Sequence, residues 1–378
     1  MDRLLLVTTV DATFKYILKD QPTFLKKKYS VTVCSSDLTG IKDFAEAEDV
    51  NYFSVPMKRE ISPFYDLYSI FCLIKEIKSL RPKIIHSFTP KAGLICALSG
   101  FLCRVPVRIH TFTGLIFPYR SGLLKMILVL VDRVICALDT HIIAEGRGVR
   151  SQLKNKKITE KEIQIIGNGN IAGVDIQFYN RDQVRQNSEI IKLKKDLMIN
   201  QESMTFIFAG RINEEKGIIE LLSAINNSYD KNINLIIVGS FESNNFESKV
   251  RNMTSNSKNK IDLVNWKNDI RPYLSISDCF VLPSYREGFP NVLLQAGAMN
   301  LPAIVTNVPG SNEIITHGYN GWICNSKSSL ELYDMINLVA SLTTSKINEV
   351  GNNARKNVEK KYEKTKYQEK LIEFYNQL

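Results

Sequence analysis

Short apolar runs of strand length punctuate this chain, and the stretches between them carry apolar residues at helical spacing. In the first half the runs are Leu4–Thr9, Ser30–Cys34, Tyr52–Val55, Lys83–Phe88, Val107–Thr113 and His141–Ala144. In the second half Met204–Ala209, Leu235–Gly239, Asp278–Pro283 and Ala303–Thr306 stand out. Strands that alternate with helices predict parallel sheets assembled from βαβ units. The longest apolar stretch, Leu123 to Leu138, is interrupted by Lys125, Asp132 and Arg133 and falls short of the roughly 20 residues needed to span a bilayer. It is expected to form a buried helix, or at most an interfacial one.

At 378 residues the chain exceeds what one hydrophobic core organises, so the pattern is read as two domains of about 180 residues each. A composition of 44% hydrophobic and 23% charged residues is that of a globular protein and excludes disordered and collagenous classes. The formal charge of +10 is unevenly placed: residues 1–180 hold 25 Lys and Arg against 17 Asp and Glu, the remainder 24 against 22. A basic first half is open to two readings, a solvated surface with surplus Lys, or attraction to anionic membrane lipid or a pyrophosphate-linked acceptor. Nucleic acid is not expected as a partner, because no basic stretch is interleaved with aromatics as a stacking platform requires. The seven Cys are scattered without a Cys-x-x-Cys pair, the usage of reduced thiols in a cytosolic protein. The opening residues lack the basic region, long apolar core and small-residue cleavage site of a signal peptide.

Candidate chemistry concentrates in two strand exits of the second half. Ser284 to Ala298 reads Ser-Tyr-Arg-Glu-Gly-Phe-Pro-Asn-Val-Leu-Leu-Gln-Ala-Gly-Ala, a strand followed by a Gly-bearing turn and a helix whose first turn would tolerate Pro290. Such turns lie at the carboxyl ends of parallel strands, where helix N-termini attract anions. A carboxylate there, Glu287, would repel a phosphate, so it is expected to accept hydrogen bonds from neutral hydroxyls, which sugars supply. Gln295, two helical turns further, is the polar residue of an otherwise apolar helix. The other exit, Met204 to Gly217, ends its strand in Gly210-Arg211 and leads through Glu-Glu-Lys216 into a helix. One Arg and one Lys at a strand mouth suit a diphosphate whose charge grows as it departs. No Gly-x-Gly-x-x-Gly follows the first strand, which weakens a dinucleotide reading. Between the halves, Gly167, Gly169 and Gly173 permit positive φ where the backbone reverses.

Glu287-Gly-Phe-Pro with a carboxamide eight residues on resembles the Glu-x7-Glu signature of the family 4 retaining glycosyltransferases. Gly-Asn-Gly-x-x-x-Gly-Val-Asp at 167–175, Gly-Arg at 210–211 and Pro309-Gly-Ser-Asn-Glu313 resemble further elements of that family. His86-Ser-Phe-Thr-Pro-Lys91-Ala resembles its acceptor-side strand end with Phe88 in place of a second His, and Thr113-Gly114 resembles its donor-contacting His-Gly with Thr in place of His. The resemblance implies two Rossmann-like α/β domains facing across a cleft, the GT-B architecture. Residues 1–175 would take the acceptor, 176–360 the nucleotide-sugar, and 361–378 would pack back on the first domain. It implies catalytic roles for Arg211, Lys216 and Glu287. Donor contacts would come from Gly210, Val264, Trp266, Gly288, Phe289, Pro290, Asn291 and Gln295. An acceptor-side cleft would hold His86, Lys91, Thr113 and Gly114.

The expected reaction is transfer of a hexosyl or N-acetylhexosaminyl group from a UDP-sugar or other NDP-sugar to a saccharide or undecaprenyl-linked acceptor in surface polysaccharide assembly. Retention is expected, with no metal and no cofactor, the nucleotide-sugar being a substrate. The place of action is expected to be the cytoplasm, with peripheral contact to an anionic membrane. Two rival readings are a UDP-sugar epimerase of the same fold and a non-catalytic nucleotide-sugar-binding subunit.

Overall fold

A computed structural model describes residues 1–199, 203–228 and 232–378. The chain divides into two compact units, Met1–Gly173 with Lys364–Leu378, and Val174–Glu363.

In the first unit the six apolar runs become the strands β1 (Arg3–Val7), β2 (Ser30–Ser35), β3 (Asn51–Ser54), β4 (Ile84–Ser87), β5 (Val107–Phe112) and β6 (His141–Ala144), and a short seventh strand, β7 (Ile163–Gln164), joins them. They form one parallel sheet in the order β3-β2-β1-β4-β5-β6-β7. Leu4 to Val7 are fully buried because each face of β1 is covered. Leu4 and Leu6 join Phe14, Ile41 and Phe44 on one side, with Leu371 and Tyr375 from the chain's last helix, Lys364–Asn376. Leu5 and Val7 meet Leu73, Ile77, Ile95 and Cys96 on the other. Burying one such side chain contributes about 1.5–3 kcal/mol, so the run of apolar residues in β1 anchors the whole unit.

The second unit has six strands: β8 (Met204–Ala209), β9 (Ile233–Gly239), β10 (Lys260–Asn265), β11 (Cys279–Leu282), β12 (Ala303–Thr306) and β13 (Gly321–Cys324). They too are all parallel, in the order β10-β9-β8-β11-β12-β13. In both sheets the strand order reverses once, between β1 and β4 and between β8 and β11. Connections diverge there, leaving a crevice at the carboxyl ends of the two strands. The second reversal brings together the exits that carry Arg211 and Glu287.

At the boundary of the units Gly167, Gly169 and Gly173 have φ of 61°, 99° and 68°, the left-handed backbone that their lack of Cβ permits. All seven Cys are free thiols, and five are buried.

Leu123–Leu138 forms a single helix, Gly122–Leu138. Its expected burial holds only for the second half: Ile135 and Cys136 are buried, whereas Leu123 and Met126 are 71% and 69% exposed.

Candidate active site

The site in the second unit is built by two strand exits pressed together. After β8 the chain turns through a short 3-10 segment, Glu214–Lys216, capped by Asn213, whose Oδ1 accepts from Lys216 N at 3.0 Å. Gly217 follows at φ 68° and begins the helix Ile218–Asn226. A Cβ on Gly217 would lie 2.0 Å from the carbonyl oxygen of Pro283, at the exit of β11. Only glycine lets the two exits approach so closely, and the approach sets Lys216 against Glu287.

Lys216 Nζ lies 2.5 Å from Glu287 Oε1, with only 18% and 10% of the two side chains exposed. The Ser284 hydroxyl donates to the same oxygen at 2.6 Å. Ser284 is itself fully buried, and its carbonyl accepts from Thr306 Oγ1 on β12. Oε2 of Glu287 has no hydrogen-bond partner among the described residues, so the carboxylate is held by one oxygen and presents the other. Beside it, Arg286 donates from Nε and Nη2 to Glu215 Oε2 at 2.9 and 2.6 Å. Tyr285 donates from its backbone N to Glu215 O at 2.8 Å and from its hydroxyl to Glu220 Oε1 at 2.5 Å. Burial and the Glu220 carboxylate push the Tyr285 phenol well above its ordinary range. These bonds stitch the residues preceding Glu287 to the turn that carries Lys216.

Arg211 lies apart from the Lys216–Glu287 pair. It is 59% exposed at its side chain and pairs through Nη1 with Glu242 Oε1 at 2.5 Å. Asn213 Nδ2 donates to the other oxygen of Glu242 at 2.7 Å. The reason is the packing of neighbouring exits: a Cβ on Gly239, at the end of β9, would lie 1.9 Å from Gly210 O, and Ile212 bridges to Phe241. Arg211 thus leans toward the exit of β9, where Glu242 waits.

On the far side of Glu287, Gly288 is backed by Gly310, which has φ 78° and whose Cβ would lie 2.1 Å from Gly288 O. Phe289 is buried against the ring of Tyr362 at 5.5 Å. Pro290 is the cap of the helix Asn291–Ala298 rather than a member of its first turn. Asn291 is half-buried at its start. Gln295 is half-buried as well, and its amide has no hydrogen bond among the described residues. Val264 pairs with Val238 near the end of β10, and Trp266, just beyond, is 47% exposed. The sheet order places β9 between them and the exit of β8.

In the first unit the expected acceptor-side residues separate into core and rim. His86 does not line an open site. It is fully buried on β4, its Nδ1 is 2.6 Å from Tyr375 Oη, its Nε2 is 2.6 Å from Thr111 Oγ1, and its ring stacks on Phe88 at 4.1 Å. With both nitrogens committed in a dry environment, burial drives the imidazole pKa far down and the ring stays neutral. His110 points to the opposite face, hydrogen-bonded through Nδ1 to Ser87 Oγ at 2.8 Å, and burial lowers it to about 3. Lys91, in the first turn of the helix Pro90–Leu102, pairs with Asp66 at 2.6 Å. Thr113 donates to Phe88 O at 2.8 Å, and Gly114 has φ 90°. Where the strand order reverses, Thr9 N donates to Thr89 Oγ1 at 2.8 Å, clasping the turn after β1 to the turn after β4.

Sequence reasoning missed three partners: Ser284 for Glu287, Glu242 for Arg211 and Tyr375 for His86. Ser284 lay within the motif already singled out. Glu242 and Tyr375 carry no motif, and only the fold brings them close. Among the described residues no three His, Cys, Asp or Glu side chains gather where they could hold a metal ion.

Similarity to known proteins bears on the family and the fold. Residues 23–170 match the model of glycosyltransferase family 4, and residues 189–357 that of glycosyl transferases group 1. The chain is 30% identical over 370 residues to the capsular polysaccharide biosynthesis glycosyltransferase CapM of Staphylococcus aureus, covering 95% of this chain and 93% of that one. It is 25% identical to the UDP-Gal:alpha-D-GlcNAc-diphosphoundecaprenol alpha-1,3-galactosyltransferase of Escherichia coli, covering 92% and 89%. Its fold matches the crystal structure of Anabaena HepE in complex with UDP-glucose, with a TM-score of 0.85 at 17% identity over the full length of both chains.

Proposed function

Because this chain belongs to the family 4 glycosyltransferases, with the two parallel-sheet Rossmann-like units of the GT-B fold, we propose that it transfers a sugar from a UDP-sugar to a lipid-linked saccharide in bacterial surface polysaccharide assembly, with retention of anomeric configuration. The names of the relatives support the pathway, donor and acceptor of that reading: one acts in capsule biosynthesis, one uses UDP-Gal and a diphosphoundecaprenol acceptor, and HepE binds UDP-glucose.

The observation that carries the reading is the half-engaged carboxylate. Lys216 and Ser284 fix Glu287 through Oε1, and Oε2 is left to accept from a hydroxyl of the donor sugar. The donor diphosphate is placed against Lys216 and Arg211. As the bond from the anomeric carbon to the phosphate oxygen breaks, negative charge grows on the leaving diphosphate, and the two cations stabilise it more than they stabilise the intact donor. The acceptor hydroxyl bonds to the anomeric carbon on the face the diphosphate leaves, and its proton passes to the departing phosphate, so no protein nucleophile is needed. The products are the glycosylated acceptor and UDP. Gly288, Phe289, Pro290, Asn291 and Gln295 form the donor side, with Gly210, Val264 and Trp266 toward the nucleotide. Lys91, Thr113 and Gly114 form the acceptor side in the first unit. With Arg211 and Lys216 supplying the countercharge, transfer proceeds without a divalent ion. The enzyme works at the cytoplasmic face of a membrane, where the lipid-linked acceptor resides.

A mass-spectrometric screen of UDP-, GDP- and dTDP-sugars for binding, followed by transfer to an undecaprenyl diphosphate-linked saccharide in the presence of EDTA, tests the proposal. A UDP-sugar should bind, and the product linkage should keep the donor's anomeric configuration. Glu287→Ala and Arg211→Ala should each lower transfer by roughly tenfold or more, the loss of a charge-assisted contact. Unchanged transfer in both variants removes the assigned roles, and turnover of the donor to an epimer without acceptor replaces the transferase reading with an epimerase.

A further inference from the structure

Three helices of the first unit lie side by side on one face of its sheet: Pro63–Leu80, Pro90–Leu102 and Gly122–Leu138, which connect β3 to β4, β4 to β5 and β5 to β6. A helix covering a parallel sheet normally turns its apolar stripe inward and a polar face to water. The two outer helices depart from this. On Pro63–Leu80 the outward side chains include Phe64 at 90% exposure, with Leu67, Tyr68 and Phe71 also exposed. On Gly122–Leu138 Leu123, Leu124, Met126, Ile127 and Leu130 are exposed, so its first turns are apolar on the outside as well.

Both sets occupy the first half of their helix. A helix in a βαβ connection runs back against its strands, so its beginning lies at the carboxyl edge of the sheet. That is the edge that carries Lys91, Thr113 and Gly114.

The charge around these side chains is mainly positive, although Glu60 is exposed before the first helix, Glu76 is half-buried within it and Asp66 is paired with Lys91. From Ile77 to Val131 there is no Asp or Glu, against eight Lys and Arg. Arg120 is exposed just before the second apolar helix and Lys125 is half-exposed within it, while exposed Lys58 and Arg59 precede the first. Lys58 Nζ lies 4.4 Å above the ring of Tyr65. A second copy of the chain would bring this positive surface against itself, so the charge opposes self-association. Large apolar side chains set among basic ones instead complement an anionic lipid surface, apolar groups entering the acyl boundary and cations resting on headgroups. No described helix is long and apolar enough to cross a membrane, so these lie along it.

We propose that the first halves of Pro63–Leu80 and Gly122–Leu138 form a docking surface that inserts into an anionic bilayer, with Arg120, Lys125, Lys58 and Arg59 on its headgroups. The purpose of this docking, to bring the sheet's carboxyl edge to a lipid-linked acceptor, rests on the function proposed above; the surface itself does not.

Sedimentation of the full-length protein with phosphatidylglycerol–phosphatidylethanolamine vesicles, without donor or acceptor, tests it. The protein should bind these vesicles and bind phosphatidylcholine vesicles at least tenfold more weakly. Leu123→Ser/Met126→Ser/Leu130→Ser and Phe64→Ser/Phe71→Ser should each weaken binding about tenfold or more. Both should keep the wild-type melting temperature and UDP-sugar binding, since these side chains already face water. Arg120→Glu/Lys125→Glu, which spares every apolar group, should weaken binding to the anionic vesicles selectively. Failure of the wild-type protein to bind either vesicle overturns the proposal, as does a wild-type dimer that the serine variants dissociate while vesicle binding is unaffected. Vesicle binding without sugar transfer would count against the proposed function alone; transfer without vesicle binding would count against this surface alone.

Discussion

Glu287 and His86 show how differently two polar residues singled out in the sequence are used. Glu287 keeps one oxygen available beside Lys216, whereas His86 has both nitrogens engaged within the core. The difference was not legible in either local pattern, because the bond that closes His86 comes from Tyr375 near the far end of the chain. Tyr375→Phe removes that hydroxyl and leaves His86 Nδ1 unpaired in a dry site, a loss of about 1–3 kcal/mol. Denaturant unfolding should report this loss, while donor affinity stays unchanged because the residues proposed to hold the donor lie in the other unit. Gln295 was legible as the polar member of an apolar helix, and its unpaired amide agrees with a place on a ligand surface. A carboxylate accepts more strongly from hydroxyls than an amide does. Gln295→Glu is therefore expected to bind the UDP-sugar at least as tightly, by calorimetry, and a large loss would show that the site is built for the amide.

At the scale of elements, the strands were the readable part, and the boundaries shifted only by a residue or two, as from Leu4–Thr9 to Arg3–Val7. The helix Gly122–Leu138 was harder to read. Its composition is apolar throughout, so periodicity could not separate a buried half from an exposed one, and only the length of sheet beneath it decides that. On its inner side Asp132 is raised to about 7 by burial, with no opposite charge contributing. A carboxyl whose folded pKa lies above its unfolded value binds more protons folded than unfolded between about pH 4 and 7, so its contribution to stability falls as pH rises through that window. His86 and His110, depressed by burial, act in the opposite sense below about pH 6.5, so the variant-minus-wild-type difference is the clean readout. Asp132→Asn should raise the melting temperature at pH 8, by an amount corresponding to at most roughly 4–5 kcal/mol, and the gain should shrink toward zero near pH 4.

At the scale of the molecule, the last helix belongs to the first unit, to which Leu371 and Tyr375 bring nearly complete burial. A chain ending at Glu363 should lose hydrogen-exchange protection throughout residues 1–173 while keeping it in 174–363. Equal loss in both units, or none, would contradict the division. The sequence by itself determined the alternation of strands and helices, the two parallel sheets, the glycine-rich junction and the two strand-exit motifs of the second unit. Each of these rests on residues near one another in the chain, where apolar spacing and backbone freedom act locally. Only the tertiary structure decided that Lys216 meets Glu287 while Arg211 turns to Glu242, that His86 is core, and that two helices show apolar faces to water. Those outcomes depend on which strand exits adjoin and how closely glycines let them approach, and such pairings join residues far apart in sequence that no local pattern relates.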